Sequence, residues 1–295
     1  MRSITIAAHA KINLSLRIGD KRADGFHDVR TILQSIELAD RVICEPSRGP
    51  FKIVCSTPGV PADRTNLVWR AAQRLWEAAG RKGELRGVRI TLDKRIPAKA
   101  GLGGGSSDAA AALVALRRLW KLTVTDQALY AIAATLGSDV PYFLIGGTAL
   151  GLGRGGDVYP LDDLPRLWVV LIFPPFGIAT ADAYRWLDDV RQNEAILPGG
   201  LSSVRSSGHL PGTWLGRGVP LSNDLEPPIV ERHPVIGKLK DQLMKMGAAM
   251  AAMSGSGSTV FGVFSTERAA KGAAKQLARL GADVRATRFL PRPKR

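Results

Sequence analysis

Four glycines fall within residues 101–105, as Gly101-Leu102-Gly103-Gly104-Gly105, and Ser106, Ser107 and Asp108 lead directly into the alanine-rich run 109–116. Glycine lets the backbone take positive φ and lets a ligand approach main-chain amides with no Cβ between. The alanine-rich run is a strong helix former. A helix start carries unpaired N–H groups and partial positive charge, so a glycine loop feeding it is a phosphate cradle. A flexible surface turn is the plainer alternative, but such turns seldom run so abruptly into a helix with Ser and Asp at its start.

Other phosphate loops do not fit. No Gly-Lys-Ser/Thr follows the glycines, which excludes a Walker A loop. Ser106 stands where a dinucleotide fingerprint needs its third glycine. Val88–Leu92 alternates like a strand, yet Asp93-Lys94-Arg95-Ile96-Pro97 separates it from the loop. A dinucleotide fold would turn straight from strand into glycines. The protein-kinase signatures His-Arg-Asp and Asp-Phe-Gly are absent.

A chain of 295 residues suffices for one large domain or two ordinary ones, and 45% hydrophobic residues can build a core. Cys44 and Cys55 read as buried free thiols rather than a disulfide or metal site, which fits a reducing, cytoplasmic setting. Of the uncharged runs, Val140–Gly153 is too short to span a membrane. Leu167–Ala181 contains Pro174 and Pro175, and Ser254–Ser258 interrupts Met246–Thr266. Ile4–Ala8 is shorter than a secretory apolar region. A soluble, untargeted protein without membrane contact is expected. The net charge of +15 suits nucleic acid or an anionic small molecule. Basic residues are scattered, apart from the tail Arg288–Arg295, without interleaved aromatics, so nucleic acid is not expected as partner.

Ile4–Ala8, Ile12–Ile18, Val29–Leu38, Arg41–Glu45 and Phe51–Cys55 read as strands, with a turn-rich loop over 19–27. Asn66 reads as the N-cap of a helix through Ala79. Strand 88–92, the glycine loop and a helix to about Trp120 follow. Thr125 caps a helix to about Leu136, and Gly137–Pro141 ends it in a loop. Ile145–Gly151 and Asp157–Pro160 read as a hairpin. The expected domains are 1–160, carrying the glycine loop, and 161–295, an α+β unit completing a cleft. In the second, Leu167–Phe173, Ala248–Met253, Ser258–Phe264 and Asp283–Phe289 read as strands. Thr180 would cap a helix over Asp182–Val190, with further helices over Pro234–Met246 and Thr266–Leu280. Residues 191–222, rich in Gly, Ser and Pro, resist assignment. The order suggests an α+β sheet with helices on one face.

A phosphate loop needs an acceptor and a group to activate it. Asp139, in Leu136-Gly-Ser-Asp-Val-Pro141, is either a turn former or a site acid. Asp108 reads as a first-turn acid complementing the helix dipole. Lys11 interrupts an apolar strand and shares one face with Asn13, which marks either a solvated face or a site. Phe26 and Tyr184 read equally as core anchors, and His27 as a loop residue. His9, His209 and His233 show no ligand spacing.

Five segments occur in order: Ala10-Lys-Ile-Asn-Leu14, Arg22-Ala-Asp-Gly-Phe-His27, the run Pro97 to Asp108, Leu136 to Pro141, and Ser254-Gly-Ser-Gly257. Together they resemble the galactokinase–homoserine kinase–mevalonate kinase–phosphomevalonate kinase superfamily, and within it the 4-diphosphocytidyl-2-C-methyl-D-erythritol kinase family. The resemblance runs from about residue 5 to 290. It implies a two-domain α+β kinase with mixed sheets, helices and a cleft between the domains. It also implies ATP and Mg²⁺ as cofactors, and a cytidine-diphosphate-linked polyol phosphorylated on its 2-hydroxyl for isoprenoid synthesis.

Residue by residue, the resemblance implies Asp139 as catalytic base and Lys11 as its catalytic partner. Asn66 and Lys94 fall near the adenosine. Pro97, Ala98, Lys99, Ala100, Gly101, Leu102, Gly103, Gly104, Gly105, Ser106 and Ser107 form the ATP loop, with Lys99 where small residues are usual and Ser107 as a metal ligand. Asn13 and Thr180 line the substrate. Phe26 and Tyr184 would stack on cytosine while His27 bonds its edge. The nearest other reading is a superfamily kinase for homoserine or mevalonate, which would lack the Gly25-Phe26-His27 base site. An RNA-binding module is the reading from another class, recognisable by steep salt dependence of RNA binding without ATP turnover.

Overall fold

Alternating apolar residues in the first fifty positions build two long antiparallel strands, β1 (Ile4–Lys21) and β2 (His27–Pro50). The computed structural model describes residues 2–194, 207–208 and 221–293. The four shorter strands read from the sequence are therefore two. The apparent gap in the first lies where pairing shifts register between His9 and Lys11. A shift of this kind leaves pairing intact on either side while re-aiming the side chains between.

Along β2, β4 (Arg86–Asp93) pairs with one half and β5 (Thr148–Leu152) with the other. β3 (Lys52–Cys55) adds parallel to β4, and β6 (Asp157–Pro160) antiparallel to β5, giving a mixed six-stranded sheet. Three helices cover one face. α1 (Leu67–Ala78) starts at Asn66, whose side chain accepts from the Val68 amide. α2 (Gly104–Leu119) grows out of the glycine loop, and Thr125 caps α3 (Asp126–Leu136) through the Ala128 amide. Val42, Ile90 and Leu92 of the sheet pack on Val68, Leu75, Leu113 and Leu116 of these helices. Cys44 lies in this core as a free thiol pushed up to about 12 by burial. Cys55, expected to be buried, is only partly so.

Two helices were not foreseen. α4 (Val140–Ile145) begins where a loop was expected, with Pro141 in its first turn. α6 (Glu226–Arg232) carries Pro227 and Pro228 at its start. Proline there removes no ladder hydrogen bond, because first-turn amides have no partner within the helix. Around them lie α5 (Thr180–Glu194), α7 (Val235–Lys245) and α8 (Glu267–Arg279).

The second sheet is antiparallel and runs β11-β7-β10-β9-β8. Its strands are β7 (Trp168–Phe173), β8 (Ser207–Gly208), β9 (Met250–Met253), β10 (Val260–Phe264) and β11 (Asp283–Arg288). Strand residues alternate between faces. Val170, Ile172, Ala251 and Met253 join Ala183, Leu187, Leu243 and Leu277 of α5, α7 and α8. Val169, Leu171, Met250 and Ala252 join Ala10, Ile12, Leu14 and Ile36 of the first sheet. The first sheet thus packs directly on the second, and β1 reaches their junction. Most of the unassigned stretch 191–222, and His209 with it, lies outside the described residues. Among the described residues, no helix is long and apolar enough to cross a membrane.

Candidate active site

β1, the glycine loop, the turn before α4, the start of α5 and the 254–257 turn surround a cleft of about 1190 Å³. It brings together all the residues picked from the sequence except Ser107. Six cationic side chains line it (Lys11, Lys21, Lys94, Lys99, Arg154 and Arg185) against three carboxylates, Asp108, Asp139 and Asp188. The balance favours anionic ligands.

The register shift in β1 places Lys11 and Asn13 side by side and buried. Lys11 Nζ donates to Asn13 Oδ1 at 2.5 Å and to the Gly101 carbonyl at 2.8 Å, and lies 3.9 Å from Asp139 Oδ2. Burial pulls the Lys11 pKa below the ordinary lysine value, and the Asp139 charge pulls it back up. Asp139 sits at the N-cap position of α4 but makes no capping bond with its side chain. Its carboxylate is 40% exposed and so can face a ligand. Asn13 Nδ2 donates to Thr31 Oγ1 at 2.8 Å, which fixes the amide against Lys11.

The loop is tied to both sheets. Lys11 N donates to the Leu102 carbonyl at 3.1 Å, and Ser254 Oγ to the Gly101 carbonyl at 3.0 Å. Gly101 and Gly103 have φ of +73° and +71°. A Cβ on Gly101 would lie 2.1 Å from the Ser254 carbonyl oxygen. On Gly103 it would lie 2.6 Å from the Phe143 ring. These two glycines serve protein packing, which the sequence could not distinguish from room for phosphate. The first intrahelical bond of α2 runs from Ser107 N to the Gly103 carbonyl at 2.9 Å. The amides of Gly104, Gly105 and Ser106 precede it, as unpaired donors at a helix start do. A Cβ on Gly105 meets nothing closer than Leu67 at 3.9 Å.

This separates two substitutions. Gly103→Val should lower the thermal midpoint, because it adds a branched residue at positive φ against Phe143. Gly105→Ala should leave the midpoint within a few degrees while weakening a non-hydrolysable ATP analogue in calorimetry. Unchanged affinity in Gly105→Ala would remove this amide from the phosphate cradle.

Behind the loop, Lys94 Nζ bonds both Asp40 and Asp108. Burial opposes the lysine charge, but the two carboxylates outweigh it and hold the Lys94 pKa above the ordinary value. Burial pushes the Asp108 carboxyl upward against the pull of Lys94. Asp108 thus serves a buried ion pair rather than the first turn of α2, which contains no acidic residue. Asp40 also accepts from the amides of Arg95 and Ile96, fixing the approach to the loop. No sequence signal marks Asp40, which sits in β2 far from the glycines along the chain. Asn66 reaches the cleft, with Oδ1 taken by Val68 N and Nδ2 by the Pro61 carbonyl. Lys99 holds φ of +53°, an uncommon conformation for a residue with a side chain.

Ser107, picked as a metal ligand, donates its hydroxyl hydrogen to the His9 carbonyl at 2.7 Å and is 2% exposed. Only the oxygen lone pairs remain for a cation. Among the described residues, no three His, Cys, Asp or Glu side chains gather as a metal site. The donor set fits a hard cation held mainly by phosphate oxygens and water.

At the other end, Phe26 is 53% exposed. His27 and Tyr184 rings lie 5.3 Å apart, tilted by 33°. His27 Nε2 is paired with Asp188 Oδ1 at 2.8 Å, which leaves Nδ1 for other contacts. Burial pushes the Tyr184 phenol up to about 12. Asp188 was not picked from the sequence, although Thr180, Tyr184 and Asp188 are spaced by four and so share one helix face. Thr180 does not cap α5. Its hydroxyl meets that of Ser256 at 3.1 Å across the cleft. Asn223 holds the same turn, donating to the carbonyls of Met253 and Gly255.

Comparison with known proteins places these features in a family. The GHMP kinases N terminal domain matches residues 66–147, and the GHMP kinases C terminal domain residues 211–283. A 4-diphosphocytidyl-2-C-methyl-D-erythritol kinase of Pelotomaculum thermopropionicum is 41% identical over 98% of this chain and 99% of its own. One from Anaeromyxobacter dehalogenans is 46% identical over 93% of this chain and 84% of its own. A crystal structure of a 4-(cytidine 5'-diphospho)-2C-methyl-D-erythritol kinase superposes with a TM-score of 0.77 at 36% identity, covering 97% of this chain and 99% of that one. Homoserine kinase from Cytophaga hutchinsonii shares the fold, with a TM-score of 0.69 at 20% identity over 99% of this chain and 96% of its own.

Proposed function

The chain belongs to the 4-diphosphocytidyl-2-C-methyl-D-erythritol kinases of the GHMP kinase family, and from that premise we propose how its cleft phosphorylates the cytidyl substrate. The fold is the α+β fold of that family, and the activity is that of an ATP-dependent small-molecule kinase in isoprenoid synthesis. One observation carries the site assignment. The Lys11–Asp139 pair, 3.9 Å apart, stands in the same cleft as Gly104, Gly105 and Ser106, which open α2.

ATP lies with its β- and γ-phosphates on the amides of Gly104, Gly105 and Ser106, and its adenosine towards Asn66 and Lys94. The 2-hydroxyl of the methylerythritol unit approaches Asp139. Its oxygen bonds the γ-phosphorus as the bond to the ADP oxygen breaks, and Asp139 takes the proton. Lys11, anchored by Asn13 and Gly101, steadies the charge that develops on the transferring group. Mg²⁺, held by the phosphates with at most a lone pair from Ser107, would offset charge on the β- and γ-oxygens. Positioning supplies much of the rate, because phosphoryl transfer asks little covalent chemistry of the protein.

Asn13 and Thr180 line the polyol. Phe26 and Tyr184 stack on cytosine, and His27, oriented by Asp188, bonds the base edge. The reading includes a domain boundary near residue 160, supported by the first sheet ending at Pro160 and the second starting at Trp168. It also includes a cytoplasmic setting, suggested by two free thiols. The positive charge is assigned to two anionic small molecules rather than to nucleic acid.

ADP release should be fast with the cytidyl substrate and near background with homoserine, mevalonate or no acceptor. Phe26→Ala and Tyr184→Ala should weaken cytidine and uridine forms together, by about 1–3 kcal/mol of binding. His27→Ala should narrow the difference between the two forms, since only an edge contact tells the bases apart. Turnover of homoserine or mevalonate at a comparable kcat/KM would move the assignment to another kinase of the family.

A further inference from the structure

The turn between β5 and β6 carries Arg154, which neither the sequence motifs nor the phosphoryl-transfer steps employ. Its guanidinium carbon lies 4.3 Å from the centroid of the Phe26 ring. Its Nε and Nη2 both donate to Asp24 Oδ2, at 3.2 and 2.8 Å. Asp24 Oδ1 in turn accepts from the Phe26 amide at 3.1 Å. One arginine therefore touches both the ring of Phe26 and the carboxylate that holds its backbone. The turn is closed from the other side by Arg22, whose amide donates to the Phe26 carbonyl at 2.6 Å. The Arg154 turn is itself docked on β2, because Val29 N donates to the Gly153 carbonyl at 2.7 Å.

A half-exposed phenylalanine on a tight turn has little packing to select its rotamer. Any ligand that stacks on it must first hold it still, which costs binding energy. A guanidinium over one face supplies that restraint without closing the other face, since cation and ring attract through the ring quadrupole. The charge is well anchored. The Arg154 hydrogen bond is the first reason the Asp24 carboxyl lies below its ordinary range, with the Phe26 amide adding to it.

We propose that Arg154 is a positioning residue for base recognition: with Asp24 it clamps one face of Phe26 and presents the other face to the cytosine of the substrate. The inference rests on the base site proposed above. Arg154 acts through the ring and not on the transferring phosphoryl group, so its signature is a KM effect on one substrate only.

The test is a double-mutant cycle with the full-length protein, measuring KM and kcat for the cytidyl substrate at saturating ATP in Arg154→Ala, Phe26→Ala and the double variant. Arg154→Ala should raise KM roughly 3- to 10-fold, with kcat and the KM for ATP within about twofold. In the Phe26→Ala background the same change should add almost nothing, because its target is gone. Arg154→Lys should recover only part of the loss, since an ammonium cannot cover the ring and fork onto Asp24 together. Equal KM effects of Arg154→Ala in both backgrounds would overturn the clamp, because the arginine would then act independently of the Phe26 ring. A raised KM in Phe26→Ala with none in Arg154→Ala would overturn the clamp and leave the base site standing. A wild-type KM in Phe26→Ala would overturn both.

Discussion

Asp139→Asn is expected to lower kcat by roughly 10²–10⁴-fold while ATP affinity stays near that of the parent chain. Asparagine keeps the shape of the side chain but cannot take a proton from the substrate hydroxyl. The fold should hold. The Asp139 side chain makes no capping bond to α4, and the buried Lys11 ammonium, 3.9 Å away, loses a counter-charge but keeps Asn13 Oδ1 and the Gly101 carbonyl as acceptors. In the proposed site the phosphates would sit on amides of α2, away from this change. The substitution also removes the charge that raises the Lys11 pKa, so the ammonium should titrate at a lower pH than in the parent. Steady-state turnover with calorimetry of a non-hydrolysable ATP analogue separates the two effects. Near-normal turnover would take Asp139 out of the mechanism.

Lys11→Met should cut kcat by roughly 10²–10³-fold, the scale on which a charge-stabilising donor contributes. Methionine nearly fills the same volume but returns nothing to Asn13 Oδ1 or the Gly101 carbonyl. An unmet buried polar group costs about 1–3 kcal/mol. Gly101 keeps the Ser254 hydroxyl as a donor at 3.0 Å, so the loss falls mainly on Asn13. A lowered thermal midpoint with a folded circular-dichroism spectrum is therefore expected. The pH profile gives an independent reading. The Lys11 pKa lies below the ordinary lysine value because the group is buried. Activity that needs the ammonium is then complete below that pKa and is lost as pH rises through it, earlier than for a free lysine. The residual activity of Lys11→Met should lack this alkaline limb. Full activity with the limb intact would place Lys11 outside the reaction.

Much of this protein follows from local physical chemistry that a sequence displays. The helices started by Asn66 and Thr125 form where capping side chains stand ready, with Val68 and Ala128 as their amide partners. The glycine loop running into α2 is legible for the same reason, as are the hairpin of β5 and β6 and the strands β7, β9, β10 and β11 of the second sheet, whereas β8 falls in the stretch left unassigned. The joining of the early strands into β1 and β2 was not legible, because a register shift looks like a break until its partner strand is present. Nor were α4 and α6, whose prolines read as breakers yet occupy first-turn positions where proline costs little.

The site divides in the same way. Lys11, Asn13 and Asp139 are suggestive residue types in suggestive places, and each alone also fits an ordinary structural role. Tertiary structure brings Lys11 Nζ onto Gly101 and towards Asp139, a juxtaposition that supports the proposed site and that no local pattern displays. It also gave Gly101 its reason to be glycine, through Ser254, 153 residues further along the chain. Asp40 and Arg154 were invisible because their partners Lys94 and Phe26 are distant in sequence, and the spacing of Asp188 from Tyr184 could not show that it meets His27. A cap or a turn is satisfied within a few residues, so its amino-acid types reveal it. A buried ion pair or a clamped ring is satisfied across the fold, and only the packing of two sheets shows which side chains meet.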